Sequence, residues 1–314
     1  MSELTSVFAP HIKDMLAWRE ATGQGIESMR SYLSNFDRFV VSCYPDQTTL
    51  TQELGTAWCR QNTTGHWDHG RGFAIRAFGR YLTEVGIEAF VVPTRWIAAP
   101  IRHLPHIFSD EELAAFFCAA DSIRIDAFHQ YDHLRQYTVP VIFRLMLGAG
   151  LRPQEARLLA RRDYDAGQAT VLIEQSKRNK DRRVPLSDDL AALMVNYDRL
   201  AEQRSPGREW FFQARTGQPY SKSWLTYNYH QCRRRAGGIA PGSTPYTLRH
   251  NYATRVLMRW VEDGRDLSVW LPYLSAYMGH DSYSATAWYV HLLPERLAAT
   301  GLTSIADVVP AVTR

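Results

Sequence analysis

The stretch GAGLRPQEARLL, residues 148–159, joins two predicted helices and indicates the fold of the second half of the chain. An apolar helix is predicted over 138–147, and the glycines that follow it end it. The next helix opens at Arg152, with Pro153 in the favoured first position. Free backbone N–H groups and the helix dipole favour an anion at such a start. Arg152 is therefore either a surface residue or a candidate phosphate ligand.

Downstream of this stretch, the sequence predicts a β-hairpin. The segments QATVLIEQ, 168–175, and RRVPL, 182–186, are strand-like, and the connecting SKRNKD, 176–181, contains turn-forming Asn and Asp. Lys177 lies at or near the tip of this hairpin. A lysine in that place either serves solubility or, on a movable hairpin, brings a proton donor to a leaving oxygen.

A second helix start follows at Thr244 and Pro245, which we predict to cap and open a helix. Tyr246, Arg249 and His250 then stand three and four residues apart on one face near its N-terminus. This helix end is a second candidate for facing an anion. Tyr246 is either a half-buried aromatic residue or a phosphate contact.

The stretch LSAYMGHDSYSATAWYVHL, 274–292, contains a third set of candidates. Gly279 is predicted to end a helix, which leaves His280 in the loop before a short helix that carries Tyr289. Tyrosines are common in this stretch, and the residue pattern alone does not select Tyr289. A tyrosine on a short amphipathic helix is usually a packing residue.

These candidates have the chemistry needed to break a phosphodiester. Arginine forks can clamp a phosphate, a lysine or histidine can donate a proton to a leaving alkoxide, and a tyrosine phenol can attack phosphorus. The candidate groups are Arg152, Lys177, Tyr246, Arg249, His280 and Tyr289.

The first part of the chain is predicted to be a small helical domain, residues 1–92. Helical periods cover 26–41, 50–62 and 72–85. A proline-rich linker is predicted at 93–106, because its prolines prevent a continuous helix. The second domain is predicted to span 107–314. We expect a mainly α fold with a small β-hairpin, of the α+β class.

The second domain is predicted to begin with a helix capped by Ser109. Glu112 stands three residues later, where a capping-box partner belongs.

Composition limits the possible functions. The chain has 314 residues, 45% of them hydrophobic and 22% charged, which is typical of a soluble globular protein. No apolar run approaches a membrane span, and the N-terminus lacks a signal-peptide layout, so we expect a cytoplasmic protein without a membrane partner. The four cysteines form no C-x-x-C, which argues against disulfides and a zinc site.

The net charge of +4 is unevenly distributed. Residues 1–106 carry ten Lys or Arg against ten Asp or Glu, and the remainder carries 26 against 22. Basic runs at 161–162, 177–183 and 233–235 suit a polyanion, although each alone is usually a solvated face.

In order and spacing, the motifs of residues 106–295 resemble those of the tyrosine site-specific recombinases, or phage integrase family. They are GAGLRPQEARLL, a K-x-x-K hairpin ending in VPL, TLRHNYAT, and MGH with a tyrosine nine positions on. The resemblance implies a SAM-like core-binding domain followed by a catalytic domain. It makes Arg152 and Arg249 the phosphate-clamping residues, Lys177 the general acid and Tyr289 the nucleophile.

The resemblance also assigns supporting residues. His280 matches a position that hydrogen-bonds the scissile phosphate, and Glu155 and His250 match supporting positions. With the resemblance, we expect DNA contacts from six basic residues, namely Arg76, Arg80, Arg178, Lys180, Arg233 and Arg234.

One position departs from the family pattern. The family usually has histidine at the first position of its H-x-x-R motif, and this chain has Tyr246. A phenol can donate a hydrogen bond to phosphate but is a poor proton acceptor near neutral pH. His280 or water are therefore the alternatives for accepting the proton of the nucleophile.

The mechanism implied by the resemblance is attack by Tyr289 on a DNA phosphate, without metal, ATP or any other cofactor. The implied partners are double-stranded DNA with inverted-repeat core sites, further copies of the chain in a dimer or tetramer on DNA, and accessory DNA-bending proteins or other recombinases. A mobile genetic element and a nucleoid location are expected. A non-catalytic DNA-binding relative and a type IB topoisomerase-like enzyme are the alternatives. The tail 302–312 is predicted to dock either on its own domain or on a neighbouring protomer.

Overall fold

The chain divides into two compact units, Met1–His103 and Leu104–Arg314. None of the helices described is long and apolar enough to cross a membrane. The computed structural model describes residues 4–61, 69–97, 104–124, 132–176, 180–280 and 283–293.

The described part of the first unit is helical. Its helices are α1 (Ala9–Ala21), α2 (Glu27–Cys43), α3 (Gln52–Arg60) and α4 (His69–Glu84). The three helices predicted from apolar spacing are confirmed to within a few residues, as α2, α3 and α4.

Helix α1 was not predicted. Its Ile12 and Met15 are buried, but Trp18 on the same helix is 47% exposed, so its large apolar residues do not form a single stripe. Phe36 and Trp58 pack edge to face at the centre of the unit, with ring centroids 5.3 Å apart. The buried Asp37 accepts hydrogen bonds from the backbone N–H groups of Thr5 and Ser6, which fixes the chain ahead of α1.

The second unit contains helices and one small sheet, which confirms the predicted fold class. Its described helices are α5 (Asp110–Asp121), α6 (Arg135–Gly148), α7 (Pro153–Arg157), α8 (Asp188–Arg204), α9 (Lys222–Arg235), α10 (Tyr246–Glu262), α11 (Leu267–Met278) and α12 (Tyr283–Ala287).

The start of α5 confirms the predicted capping box. The backbone N–H of Glu112 donates to the Ser109 hydroxyl, and the backbone N–H of Ser109 donates to the Glu112 carboxylate. Two backbone donors that the helix cannot satisfy are thereby bonded.

The sheet has three antiparallel strands in the order β1 (Tyr164–Asp165), β2 (Thr170–Ser176) and β3 (Lys180–Pro185). The predicted hairpin is confirmed as β2 and β3, with Val171 paired to Val184. The short β1 was not predicted, because two residues are too few to show an alternating pattern. The buried side chains of Val171 and Val184 turn one face of the hairpin toward the core.

Helix α10 stands between two parts of the apolar interior. On one side it contacts α6, and on the other it contacts a 3-10 helix at Trp288–Leu292. Leu257 of α10, Leu274 of α11 and Tyr289 belong to one buried cluster. This packing brings the start of α10, the end of α11 and the 3-10 helix to one place.

The predicted cap of α10 is wrong in detail. The helix begins at Tyr246, and Pro245, which has no side-chain acceptor, occupies the cap position. The hydroxyl of Thr247 accepts a hydrogen bond from the backbone N–H of Thr244 at 3.3 Å. The residue inside the helix therefore bonds back to the chain ahead of it.

Candidate active site

Arg152 is the cap residue of α7 and is held in place by a tight loop. Gly150 ahead of it has φ +62°, and a Cβ there would lie 2.4 Å from the Tyr252 ring, so only glycine fits. The Arg152 guanidinium donates through Nη1 to Glu155 Oε1 at 2.6 Å and through Nη2 to the carbonyl of Gly279. This placement confirms the predicted helix start and links α7 to the end of α11.

Arg249, on the first turn of α10, is fully buried. Its Nη1 donates to the Gly150 carbonyl at 2.7 Å, and its Nη2 donates to the Met278 carbonyl at 2.6 Å. Within the described residues, its buried Nε has no hydrogen-bond acceptor. A guanidinium has five N–H donors, so Arg249 keeps donors that these contacts do not use.

A third arginine, Arg182 on β3, was not predicted as a site residue. Its terminal nitrogens donate to the two carboxylate oxygens of Glu155 at 2.9 and 2.7 Å, and its Nε donates to the Tyr277 carbonyl at 2.9 Å. The sequence did contain a signal. Strand alternation puts Arg182 on the same face as Val184, which is buried, so its charge needs a partner inside the protein.

These three guanidinium groups face a single carboxylate. Burial alone would raise the pKa of Glu155, but hydrogen bonds and charge from Arg182, together with Arg152, lower that pKa to about 2. Burial and the charge of Arg152 lower the pKa of Arg249. The described cluster therefore keeps an excess of buried positive charge, which an anion bound beside it would offset.

Tyr289 lies next to this cluster and is 2% exposed. Its hydroxyl oxygen is 2.8 Å from Nδ1 of His250, a hydrogen-bond distance. Burial raises the pKa of the Tyr289 phenol above its ordinary value. Burial and the neighbouring Arg249 charge lower the pKa of His250 to about 4, so this imidazole is neutral at pH 7.

His280 lies in the loop directly after Gly279, as predicted. Gly279 ends α11 in the left-handed conformation, with φ +62°, and a Cβ there would meet Arg182 at 2.9 Å. The Nδ1 of His280 is 2.6 Å from the hydroxyl of Thr286, and its ring stacks on Tyr289 with centroids 6.0 Å apart. Burial and the three arginines lower the pKa of His280 to about 3, so it too is neutral at pH 7.

Tyr246 lies at the outer edge of this group, with 36% of its surface exposed. Its ring centroid is 4.9 Å from that of His250. Burial would lower the pKa of Arg152, but Glu155 and, to a smaller extent, Tyr246 raise it. The departure from the family pattern thus lies beside both an arginine and the histidine that contacts Tyr289.

The residues predicted to contact DNA lie in several places. Arg76 donates to the Val92 carbonyl, and Arg80 forms an exposed ion pair with Glu84 at 3.5 Å. Arg233 donates to the Ile239 and Ala240 carbonyls, Arg234 is exposed, and Lys180 opens β3. Their role in DNA binding stays a prediction.

Several predictions concern residues that the structure does not describe. Lys177, Arg178, part of the linker at 98–103 and the tail at 302–312 lie outside the described residues. Of the other basic run, Arg161 pairs with Asp198 and Glu202, so its charge is already compensated.

The arrangement can bind an anion and attack it. Arg152 and Arg249 lie at two helix starts and converge on neighbouring carbonyls at the end of α11. A phenol oxygen lies next to them, in contact with a neutral imidazole. A phosphodiester would find cationic donors and an oxygen nucleophile in one place.

The comparison with known families agrees with this chemistry. The sequence profile of the phage integrase family matches residues 112–296. This match covers most of the region in which the motifs lie.

Two bacterial proteins are similar to this chain in sequence. A protein of Sinorhizobium fredii, y4rB, which carries the name of an integrase/recombinase, is 26% identical over 301 residues, and the alignment covers 92% of this chain and 94% of y4rB. Tyrosine recombinase XerC of Bradyrhizobium diazoefficiens is 32% identical over 157 residues, which cover 50% of this chain and 46% of XerC.

A solved structure shares the fold. The XerH site-specific recombinase, in its post-cleavage complex with palindromic difH substrate, matches with a TM-score of 0.63 at 17% identity. The match covers 88% of this chain and 79% of XerH.

Proposed function

Since the chain belongs to the phage integrase family, and is a tyrosine recombinase that cleaves and rejoins DNA, we propose that Tyr289 is its nucleophile. The predicted family resemblance is thereby confirmed, whereas the roles of individual residues are proposals. One observation carries the assignment of Tyr289. Its buried hydroxyl lies beside the arginine cluster and contacts a neutral imidazole.

The proposed reaction is a phosphoryl transfer. The Tyr289 oxygen attacks a DNA phosphorus, the bond from phosphorus to the 5′ oxygen breaks, and a 3′-phosphotyrosyl link and a 5′-hydroxyl result. Attack by the 5′-hydroxyl of another strand reverses these steps and rejoins the DNA. The covalent link retains the energy of the broken bond, so the reaction proposed here uses no ATP.

Arg152 and Arg249 are the proposed phosphate clamp. The excess of buried positive charge in their cluster supports this role, because charge develops on the phosphoryl oxygens as the tyrosine attacks. Both guanidinium groups are already fixed by hydrogen bonds to carbonyl groups, so they need little reorganisation when DNA binds.

Two further roles rest on the family resemblance. Lys177, on the connection between β2 and β3, is the proposed proton donor to the 5′ oxygen. His280 is proposed to hydrogen-bond the scissile phosphate. Its neutral ring and its position directly after Gly279, which accepts from Arg152, support this assignment.

The biological setting proposed here is the one that the family resemblance implies. The proposed substrate is double-stranded DNA with inverted-repeat core sites, bound by a dimer or tetramer of this chain, with accessory DNA-bending proteins or other recombinases. Arg76, Arg80, Arg178, Lys180, Arg233 and Arg234 are proposed to contribute DNA contacts. A role in a mobile genetic element, at the nucleoid in the cytoplasm, is proposed.

The test of Tyr289 is covalent capture of DNA. A suicide substrate that is nicked near the cleavage site traps the protein–DNA adduct. Tyr289→Phe removes the attacking oxygen and should abolish the adduct while DNA affinity stays within about twofold. The matched control Tyr283→Phe should retain the adduct.

An adduct formed by the Tyr289→Phe protein would contradict the proposal. If the Tyr283→Phe protein lost the adduct instead, Tyr283 would be the nucleophile.

A further inference from the structure

The proton of Tyr289 has to leave its oxygen during attack, and the structure shows where it can go. Resting on the proposed role of Tyr289, we propose that His250 is the residue that accepts this proton. The Nδ1 of His250 lies 2.8 Å from the tyrosine oxygen. The two rings are tilted by 50° with centroids 5.6 Å apart, so they are not stacked.

The alternatives have less suitable geometry. His280 stacks on Tyr289 with an interplanar angle of 16°, and its Nδ1 contacts the Thr286 hydroxyl. A stacked ring does not point its nitrogen lone pairs at the oxygen of the ring that it covers. Tyr246 carries a phenol, which is a poor proton acceptor near neutral pH. In this chain, His250, the residue after the arginine of the H-x-x-R motif, therefore accepts the proton in place of the first residue of that motif, Tyr246.

The surroundings of His250 keep its ring available as a base. Arg249 and Tyr246 face it from α10, Tyr289 from the 3-10 helix, and His280 from the loop after α11. The charge of Arg249, together with burial, keeps the imidazole neutral at pH 7. A phosphate bound at Arg249 would offset part of that charge and make His250 a stronger base when substrate is present.

The proton transfer balances in both directions. During cleavage, the proton of the Tyr289 hydroxyl moves to Nδ1 of His250 as the bond from oxygen to phosphorus forms, and the 5′ oxygen takes a proton from the general acid. During rejoining, the attacking 5′-hydroxyl gives its proton back to the general acid, and Nδ1–H of His250 returns the other proton to the tyrosine oxygen as the bond from that oxygen to phosphorus breaks. No metal or further reactant is needed for either step.

The experiment measures the single-turnover rate of adduct formation on the suicide substrate from about pH 6 to about pH 8. Bound phosphate offsets only the charge of Arg249, and burial still lowers the pKa of His250, so the wild-type rate should change little with pH in this window. His250→Asn keeps an atom near the position of Nδ1 that can hydrogen-bond the tyrosine, but it cannot take up a proton. Its rate should fall by about a hundredfold at pH 7 and rise about tenfold per pH unit, because hydroxide becomes the acceptor.

Two comparisons make the result specific. Tyr246→Phe should lose at most about tenfold, the value of one hydrogen bond, and keep the flat pH profile of the wild type. His230→Asn makes the same substitution on α9, at another histidine whose pKa burial lowers, and should leave rate and profile unchanged.

A second variant covers the case in which His250→Asn does not fold. His250→Ala should be slow, and added imidazole should restore part of its rate. Measurements of DNA affinity and thermal unfolding identify any variant with a folding defect. The role of His250 is then tested on the variant that folds.

The outcomes are distinguishable from failure of the proposed function. A wild-type protein that forms no adduct, or an adduct in Tyr289→Phe, overturns the role of Tyr289. If the wild type reacts through Tyr289, the proposal for His250 is overturned by an unchanged rate in folded variants. It is equally overturned if the variants form the adduct slowly and neither higher pH nor added imidazole raises their rate. His250 would then be a positioning residue.

Discussion

The arginine cluster and the tyrosine pair differ in how firmly the structure holds them. Arg152 and Arg182 donate to the Glu155 carboxylate. Together with Arg249, they also donate to backbone carbonyls of two separate segments, the loop at Gly150 and the end of α11. Tyr289 lies on a short 3-10 helix, and its hydroxyl oxygen contacts His250. The groups proposed to bind phosphate are thus fixed by several hydrogen bonds. The described hydroxyl of the proposed nucleophile has one side-chain hydrogen bond, although its ring is buried and packs against His280 and Trp288.

The difference indicates that the arginine cluster and the tyrosine pair have separate functions. Stabilising the transition-state charge requires donors that do not reorganise, and a network anchored on backbone carbonyls provides them. Attack on phosphorus requires the tyrosine oxygen to give up its proton and form a bond to a new partner.

The largest expected effect concerns Glu155, the carboxylate shared by the cluster. Its pKa is about 2 in the folded protein, below its ordinary value of 4.5, so it stabilises the fold above about pH 5 and this contribution is lost as pH falls toward 2. The shift corresponds to on the order of 3 kcal/mol. Glu155→Gln should lower the free energy of unfolding at pH 7, and its value should converge with that of the wild type near pH 2.

Urea unfolding of the full chain, followed by circular dichroism between pH 7 and pH 2, measures this effect. Glu174→Gln is the control, because Glu174 lies on β2, in the hairpin that carries Arg182, but has an exposed carboxylate, and it should leave the pH dependence almost unchanged. If the free energy of unfolding changed with pH in the same way in the wild type and in Glu155→Gln, Glu155 would not anchor the arginine cluster.

A smaller effect is expected for Arg249→Lys. Lysine keeps the charge but cannot donate to the Gly150 and Met278 carbonyls and to a phosphate in the same geometry. Adduct formation should slow by about a hundredfold, about 2.7 kcal/mol, and DNA affinity should fall much less.

Arg183→Lys is the matched control for this substitution, because Arg183 is exposed on β3 next to the cluster. Its cleavage rate should equal that of the wild type. If Arg249→Lys lost DNA affinity and cleavage rate equally, Arg249 would be an ordinary contact to the DNA backbone. The distinction between the arginine cluster and the tyrosine pair would then not hold.

The features that the sequence predicted have local signals. The capping box of Ser109, the start of α7 after Arg152 and the end of α11 at Gly279 each depend on a few neighbouring residues. The β-hairpin was predicted for the same reason, from turn residues between two strand-like segments. Local rules of helix capping and turn formation were sufficient in these places.

What the sequence did not predict depends on residues that are distant in the chain. Arg182 and Glu155 are 27 positions apart, and His250 and Tyr289 are 39 apart. Their contacts arise only when β3, α7, α10 and the 3-10 helix pack together. Helix α1 was missed for another reason, since its exposed Trp18 obscures the spacing of its buried residues.

The central claim, that Tyr289 is the nucleophile, is tested most directly by locating the covalent link. Wild-type protein is trapped on the suicide substrate, the adduct is digested with nuclease and protease, and the modified peptide is sequenced by mass spectrometry. The expected product is a peptide with a nucleotide attached through phosphate to the oxygen of Tyr289. A nucleotide on Tyr283, Tyr277 or any other residue, with Tyr289 unmodified, would contradict it.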